Sequence, residues 1–489
     1  MATFITNTNW QLFREVFTHT TSASTSLKTN EEIEAATEYL NASIINAIRV
    51  STPAKTSISN HEYPQYILKK IAEKRRLKRI WQTHRTPEDK RKLNNATRKL
   101  SKTIKNYNND RFHKYLTSLS PTADSNYSPW KASRKLTRPP QIIPPIRRPQ
   151  GGWARSPIEK ANLFAKHLTE VFKPHSSIAA ADVTEYLQMS TPIESFTSAE
   201  IIEPFSRLNP KKGAGHDLIG NKAIKELPIK GIALIASIFN AILRLQHFPK
   251  AWKISLITLI PKPGKPIYET TSYRPISLLP TLSKLFERML TNRLLPLLEE
   301  LKTLPDHQFG FRKRHSTVEQ IHRITHMISQ TLEKKKYCSA VFLDIQQAFD
   351  KVWHVGLLYK LKKILPHPYY SILKSYLTNR QFIVKCLDAT SATFPIESGI
   401  PQGSVLGPLP FSIYTANLPI SNEVTIATFA DDKALLATYA DPAIASSTLQ
   451  RSLDSMEKWF QKWGFTINEK KILSRNLHAP KTNLPPVHH

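Results

Sequence analysis

The sequence predicts an α+β fold: a mostly helical, basic N-terminal region, then a mixed or antiparallel sheet covered by helices. Three stretches carry that expectation. Ser339-Ala340-Val341-Phe342-Leu343-Asp344 is an apolar run ending in one acid, the pattern of a buried strand that delivers Asp344 at its C-terminal end. Residues 424–428 and 434–439 are β-prone and flank Phe429-Ala430-Asp431-Asp432, which reads as a hairpin with two carboxylates at its tip. Residues 69–114 hold 17 Lys/Arg against 4 Asp/Glu, a net +13, with Leu93, Thr97, Leu100, Ile104 and Tyr107 at the spacing of one long amphipathic helix.

Charge narrows the partners. The chain of 489 residues carries 69 Lys/Arg and 38 Asp/Glu, a formal net +31. That excess points to a polyanion, with nucleic acid the natural one and a membrane surface the competing reading. No apolar run is long enough to span a bilayer, and no signal peptide is visible at Met1. The two cysteines, Cys338 and Cys386, lack metal-ligand spacing, so both are expected to be reduced and structural in an intracellular protein. The 35 prolines against 13 glycines predict stiff loops.

Taken in order, residues 1–60 show helical patches at 10–17 and 31–50, the second with Asn30 as N-cap. Together with the basic stretch they make a helical region over 1–119. Its densest run, Glu73-Lys74-Arg75-Arg76-Leu77-Lys78-Arg79, has three readings: nucleic-acid backbone binding, nuclear import, or a solvated helix packing its apolar stripe on the rest of the chain. Residues 120–157 read as a Pro-stiffened linker ended by Gly151-Gly152. Residues 158–250 are helical, opening after Ser156-Pro157 with proline in the first turn. Lys211-Lys212-Gly213-Ala214-Gly215-His216-Asp217 is a basic glycine loop without a phosphate-loop ending. Residues 254–260 form a strand, followed by a turn at Pro261-Lys262-Pro263-Gly264-Lys265. A helix over 282–298 should break at Pro296. A helix is expected to follow Asp344 through Ala348, Phe349 and Val352. Another is expected from Ser404, kinked by Pro410.

A pair of acids at a turn is by itself often a solvated turn, or else a site for a hard cation such as Mg²⁺. Strand alternation puts Asp431 on the face of Ala427 and Phe429. With Asp344 at a strand end, the three acids form a set of the kind that holds two metal ions in phosphoryl transfer.

The order Phe342-Leu343-Asp344, Ser398-Gly399-Ile400-Pro401-Gln402-Gly403-Ser404 and Phe429-Ala430-Asp431-Asp432 resembles reverse transcriptases. Ala348-Phe349-Asp350-Lys351-Val352-Trp353, Gly403-Ser404-Val405-Leu406-Gly407-Pro408, Tyr273-Arg274-Pro275-Ile276-Ser277-Leu278-Leu279 and Gln308-Phe309-Gly310-Phe311-Arg312 resemble those of non-LTR retrotransposons, the Jockey kind in particular. The resemblance runs from about 252 to 471.

It implies fingers and a palm over 251–489, and RNA-directed DNA synthesis as the ancestral activity. The implied partners are template RNA, primer DNA and dNTPs, in the nucleus and cytoplasm. The implied cofactor is two Mg²⁺, with Mn²⁺ as a substitute, held by Asp344, Asp431 and Asp432. The resemblance places Lys262 and Arg274 on the incoming triphosphate, where a point charge and a planar fork suit phosphate oxygens. It places Phe349 under the sugar, clashing with a ribose 2′-OH, and Gln402 and Gly403 against the template and the nascent pair. Lys471 takes an Asn-x-x-Lys position from which it can protonate the leaving pyrophosphate. Asp350 is expected to support structure and not metal. Past Lys471 the resemblance stops, so the expectation is a copy truncated before a thumb. The rival reading is a catalytically weak, nucleic-acid-binding remnant.

Overall fold

The structure is a computed structural model that describes residues 8–22, 27–53, 63–117, 143–174, 192–312 and 314–478. It divides into two compact units, one of Met1–Pro53 with Pro144–His489 and one of Ala54–Ile143.

In the larger unit, α1 (Trp10–Thr20) and α2 (Asn30–Ser51) bury Phe13, Phe17, Ile33, Leu40 and Ile44. The N-cap of α2 is Thr29 and not the expected Asn30. The Thr29 hydroxyl accepts from the Glu32 amide while the Glu32 carboxylate accepts from the Thr29 amide, a reciprocal capping box.

The smaller unit is a pair of helices, α3 (Gln65–His84) and α4 (Pro87–Thr117), where one long helix was expected. Pro87 explains the break. It has no amide to donate and disfavours helical geometry at Thr86 before it. Arg85 closes α3 in the left-handed region at φ 57°, and the Thr86 hydroxyl accepts from the Asp89 amide to start α4. The two helices pack on each other. Lys70 Nζ donates to Thr103 Oγ1 at 2.9 Å, the Tyr63 and Tyr107 rings meet edge to face, and Ile67 and Leu100 are buried.

Returning to the larger unit, β1 (Ile146–Arg147) and β2 (Trp153–Ala154) make a small hairpin around Gly151-Gly152. It lies within the stretch expected to be linker; the prolines at 139 and 140 fall outside the described residues. Next come α5 (Pro157–Val171), α6 (Ser198–Ser206), α7 (Asn221–Lys225) and α8 (Ile229–Leu245). The first sheet is built from β3 (Ile254–Pro261) and β4 (Tyr273–Leu278), with later strands joining. Then α9 (Thr281–Glu300) runs unbroken through Pro296, against expectation. Leu290, Leu294 and Leu298, all fully buried, hold its turns on the core, so packing outweighs the missing amide bond.

After α10 (Thr317–Glu333) comes β5 (Tyr337–Asp344). The chain then turns through 345–352, with Gln347 at φ 52°, and the next helix, α11 (His354–Ile364), starts only afterwards. The helix expected through Phe349 is therefore a tight turn. α12 (His367–Leu377), β6 (Arg380–Cys386), β7 (Ala389–Thr390) and β8 (Phe394–Ile396) follow. The first sheet runs β4-β3-β6-β7, with β3 and β6 parallel and β8 also on β6. α13 (Pro408–Thr415) begins at Pro408 and not at Ser404. Pro410 thus sits in its first turn, where amides have no helical partner, and no kink is required.

The second sheet adds β9 (Thr425–Phe429) and β10 (Asp432–Tyr439), covered by α14 (Pro442–Lys462) and ending with β11 (Leu473–Leu477). Its order is β11-β5-β10-β9, all antiparallel. One face, with Val341, Leu343 and Leu435, joins the main core. The other face carries Ala340, Ala427, Ala434 and Leu436 against Ile324, Met327 and Ile328 of α10. β11 lies past Lys471, where no further element was expected. Its residues are mostly exposed, so no apolar alternation marks it, and its place comes from backbone pairing with β5.

Candidate active site

The second sheet brings the acids together through register. In the β5–β10 ladder Asp432 stands opposite Asp344, and in the β9–β10 ladder Asp432 stands opposite Phe429. Paired residues share a face, so it is Asp432, and not Asp431 as alternation suggested, that lies on the face of Ala427 and Phe429. The alternation fails because Ala430 and Asp431 form a two-residue turn with Ala430 at φ 59°. Burial pushes the Asp431 carboxyl up, and the neighbouring charges of Asp432 and Asp344 push it further. Lys433, the next residue on β10, is buried and pushed down to about 8 by desolvation, against the pull of both hairpin acids.

Asp344 is held by its neighbours. Its Oδ2 accepts from Asn468 Nδ2 at 2.9 Å and from Lys471 Nζ at 2.8 Å, and its carbonyl accepts from the Asn468 amide. The position singled out at Lys471 is therefore beside the strand-end acid. Among the described residues, no three His, Cys, Asp or Glu side chains close into a ready-made metal cage.

The left-handed turn is braced by a segment whose motif was noted but whose role was not foreseen. Gln308 is buried; its side-chain carbonyl accepts from the Ala430 amide at 3.0 Å and the Gly310 amide at 2.8 Å, and its Nε2 faces the Ala430 carbonyl at 3.4 Å. The His307 carbonyl accepts from the Thr428 amide, and the Phe309 amide donates to the Thr428 carbonyl. Gly310 packs so tightly on the turn that a Cβ there would overlap the Ala430 nitrogen.

Phe349 is half-buried in the turn after β5. Its ring stacks on Phe411 with centroids 4.2 Å apart and meets the exposed Phe311 ring edge-on at 5.7 Å. Asp350 is buried and accepts from Gln402 Nε2 at 2.7 Å; burial lifts its carboxyl to about 7. It thus holds the loop, as expected of a structural acid. The Gln402 carbonyl accepts from the Ser277 amide of β4, and Gly403, at φ 118°, has room for no side chain, since a Cβ would lie 2.6 Å from the Ser277 carbonyl oxygen. A second unforeseen residue, the fully buried Glu287 of α9, accepts from Ser404 Oγ at 2.7 Å and from the amides of Val405 and Leu406.

In the first sheet, Lys262 Nζ donates to the Thr271 carbonyl at 2.8 Å. Burial lowers its ammonium, and the charges of Arg274 and Lys471 lower it further while that of Asp350 opposes. Lys262 thus sits among Arg274, Asp350 and Lys471, and Arg274 is exposed on β4. Lys74, Arg75, Arg76, Lys78 and Arg79 lie on α3 of the smaller unit, Lys74 half-buried and the others exposed. No described helix is long and apolar enough to cross a membrane.

Residues 260–476 match the family model described as reverse transcriptase (RNA-dependent DNA polymerase). The chain is 42% identical over 93% of its length to the probable RNA-directed DNA polymerase from transposon BS of Drosophila melanogaster, covering 52% of that protein. It is 36% identical to the corresponding probable polymerase from transposon X-element of the same organism, over 98% of this chain and 55% of that one. It is also 36% identical to the RNA-directed DNA polymerase from mobile element jockey, over 90% of this chain and 50% of that one. The chain therefore spans about half the length of the relatives it matches. The motifs, the sheet that gathers their acids and these similarities agree: residues 260–476 match the reverse-transcriptase family, and the chain is similar to the polymerases of non-LTR retrotransposons.

Proposed function

We propose that this chain performs RNA-directed DNA synthesis, joining a dNTP to a primer 3′-OH on an RNA template. The observation that supports it most is the register that sets Asp432 opposite Asp344 with Asp431 in the adjoining turn. Three carboxylates offer an oxygen-only donor set, which fits hard divalent cations. Such a set suits Mg²⁺, which takes one or two protein carboxylates and fills its shell with water and substrate phosphate. When bound, a metal pair lowers the pKa of the attacking hydroxyl and neutralises charge on the pyrophosphate.

The remaining work falls to side chains. Lys262 and Arg274 bind the triphosphate, and Lys471, beside Asp344, is placed to hand a proton to the leaving pyrophosphate. Phe349, fixed between two rings, blocks a 2′-OH at the sugar. Gln402 and Gly403 present backbone to the template pair. The α3–α4 hairpin holds nucleic acid through phosphates.

Primer extension on a homopolymer RNA template tests the reading. The parent extends with Mg²⁺ or Mn²⁺, and Asp431→Asn does not, while RNA binding stays nearly unchanged. Equal extension by the two proteins would refute it.

A further inference from the structure

On the larger unit, a cavity of about 700 Å³ opens between α2, the turn 250–253, the start of β3, the end of α12 and the start of β6. None of the residues assigned above to metal, nucleotide or template lines it. Its walls are basic. Lys250, Lys253, Lys374, His216 and His247 face it, with Glu38 at an exposed position.

Two of these groups carry a nitrogen with no hydrogen-bond partner among the described residues. Lys253 is 6% exposed and makes no hydrogen bond or ion pair among the described residues. Burial and the charge of Arg380 on the neighbouring strand depress its ammonium to about 8, with Lys250 adding to the effect and Glu34 opposing it. The Ile254 backbone favours the charged form of His216 while burial disfavours it, and its buried Nδ1 has no partner. Arg380 itself is buried with a single bond, Nη1 to the Tyr376 carbonyl at 3.1 Å; its Nε and Nη2 have none. The nearby carboxylate, Glu34, is already engaged by His247 Nε2 at 2.7 Å and by the Lys250 amide.

A buried cation without a counter-charge costs stability, and two side by side cost more. An anion seated in the cavity relieves Lys253, which lines it. Its walls also carry short polar side chains, Ser371, Thr378, Asn379 and Gln381 among them, suited to oxygen-rich ligands. We propose that this cavity binds a phosphate group, with Lys253 as its principal charged contact. The phosphate is either the terminal phosphate of a nucleic-acid strand or that of a free phosphorylated small molecule.

The test uses the full chain in EDTA, so that the acid site of the second sheet holds no phosphate through metal. Calorimetry with inorganic pyrophosphate should show one saturable site. Lys253→Met, which keeps the buried stem and removes the charge, should weaken it about tenfold or more, as expected for removing a charge-assisted hydrogen bond. Its unfolding temperature should stay level or rise. Should that variant fail to fold, the rim pair Lys250→Gln/Lys374→Gln must weaken binding instead. Asp431→Asn and Lys74→Gln/Arg75→Gln should leave it unchanged. Competition by a short single-stranded RNA with a 5′-phosphate, against the same RNA without one, separates the sources. Displacement only by the phosphorylated strand identifies a strand end; no displacement by either identifies a small molecule. The absence of a saturable site, full binding by the charge-removed variants, or loss that follows the α3 variant would overturn the proposal.

Discussion

The acid hairpin and the basic helical hairpin are built on opposite principles. Around Asp431 the turn is partly buried at Ala430 and Lys433 and cross-linked by hydrogen bonds from residues far away in sequence, Gln308 foremost. Around Lys74 to Arg79 the side chains stand mostly in solvent, and the stretch is held by little more than one helix lying on another. The first arrangement fixes atoms and the second supplies a field. Nucleotidyl transfer needs the reacting atoms placed within about 3–3.5 Å, whereas phosphate attraction tolerates wide positional slack. The two regions should therefore fail differently when mutated.

The sharpest break comes at the acids. Asp344→Asn should lower single-nucleotide addition on the order of 10²–10³-fold or more, because charge stabilisation is lost where the transition state develops it. Template affinity should hardly move, and rapid-quench kinetics at saturating template measures the difference.

Next is the brace. Gln308→Met keeps the volume and removes the bonds to Ala430. If the turn carries the proposed chemistry, its displacement by a fraction of an ångström should cost about 10–100-fold in kcat with KM for dNTP nearly unchanged. An unaltered kcat would show that the turn keeps its left-handed geometry unaided.

A smaller effect is expected from the helices. Replacing Lys74, Arg75, Arg76, Lys78 and Arg79 with Gln should reduce the log–log salt slope of RNA binding by up to about 3.5 units, roughly 0.7 for each single-strand phosphate no longer neutralised. At low salt and saturating template, kcat should be retained. A large fall in kcat would show that the basic stretch positions the template and does more than attract it.

The mildest effect concerns Asp350. Its native carboxyl titrates at about 7 against an ordinary 3.8, so the folded state keeps its proton longer than the unfolded state does. Its contribution is thus fully present below pH 4 and lost as pH rises toward 7. Asp350→Asn, which still accepts from Gln402, should remove that part of the pH dependence of thermal unfolding without lowering stability at neutral pH. A curve parallel to the parent's would show that the carboxyl titrates normally.

What the sequence disclosed follows from the range of the interactions. The strand end at Asp344 and the hairpin at Asp431 and Asp432 are written in local alternation and punctuation, and both were legible. Gln308 and Glu287 were not, because their partners lie 122 and 117 residues away and a lone polar residue in an apolar context carries no address. Three of the errors in helices turn on proline. Pro87 ended a helix, whereas Pro296 and Pro410 did not, since a missing amide matters only where packing or a first turn does not cover for it. β11 escaped notice because backbone pairing on an exposed edge leaves no hydrophobic pattern.

The loop at Gln402 and Gly403 has one more consequence. It is bonded on one side to Ser277 of the first sheet and on the other to Asp350 behind the second. The two sheets thus share a pivot narrower than any side chain. A chimaera exchanging the first sheet between relatives must carry residues 277, 350 and 402–403 from one parent, because a mismatch there separates Lys262 and Arg274 from the acids of the second sheet.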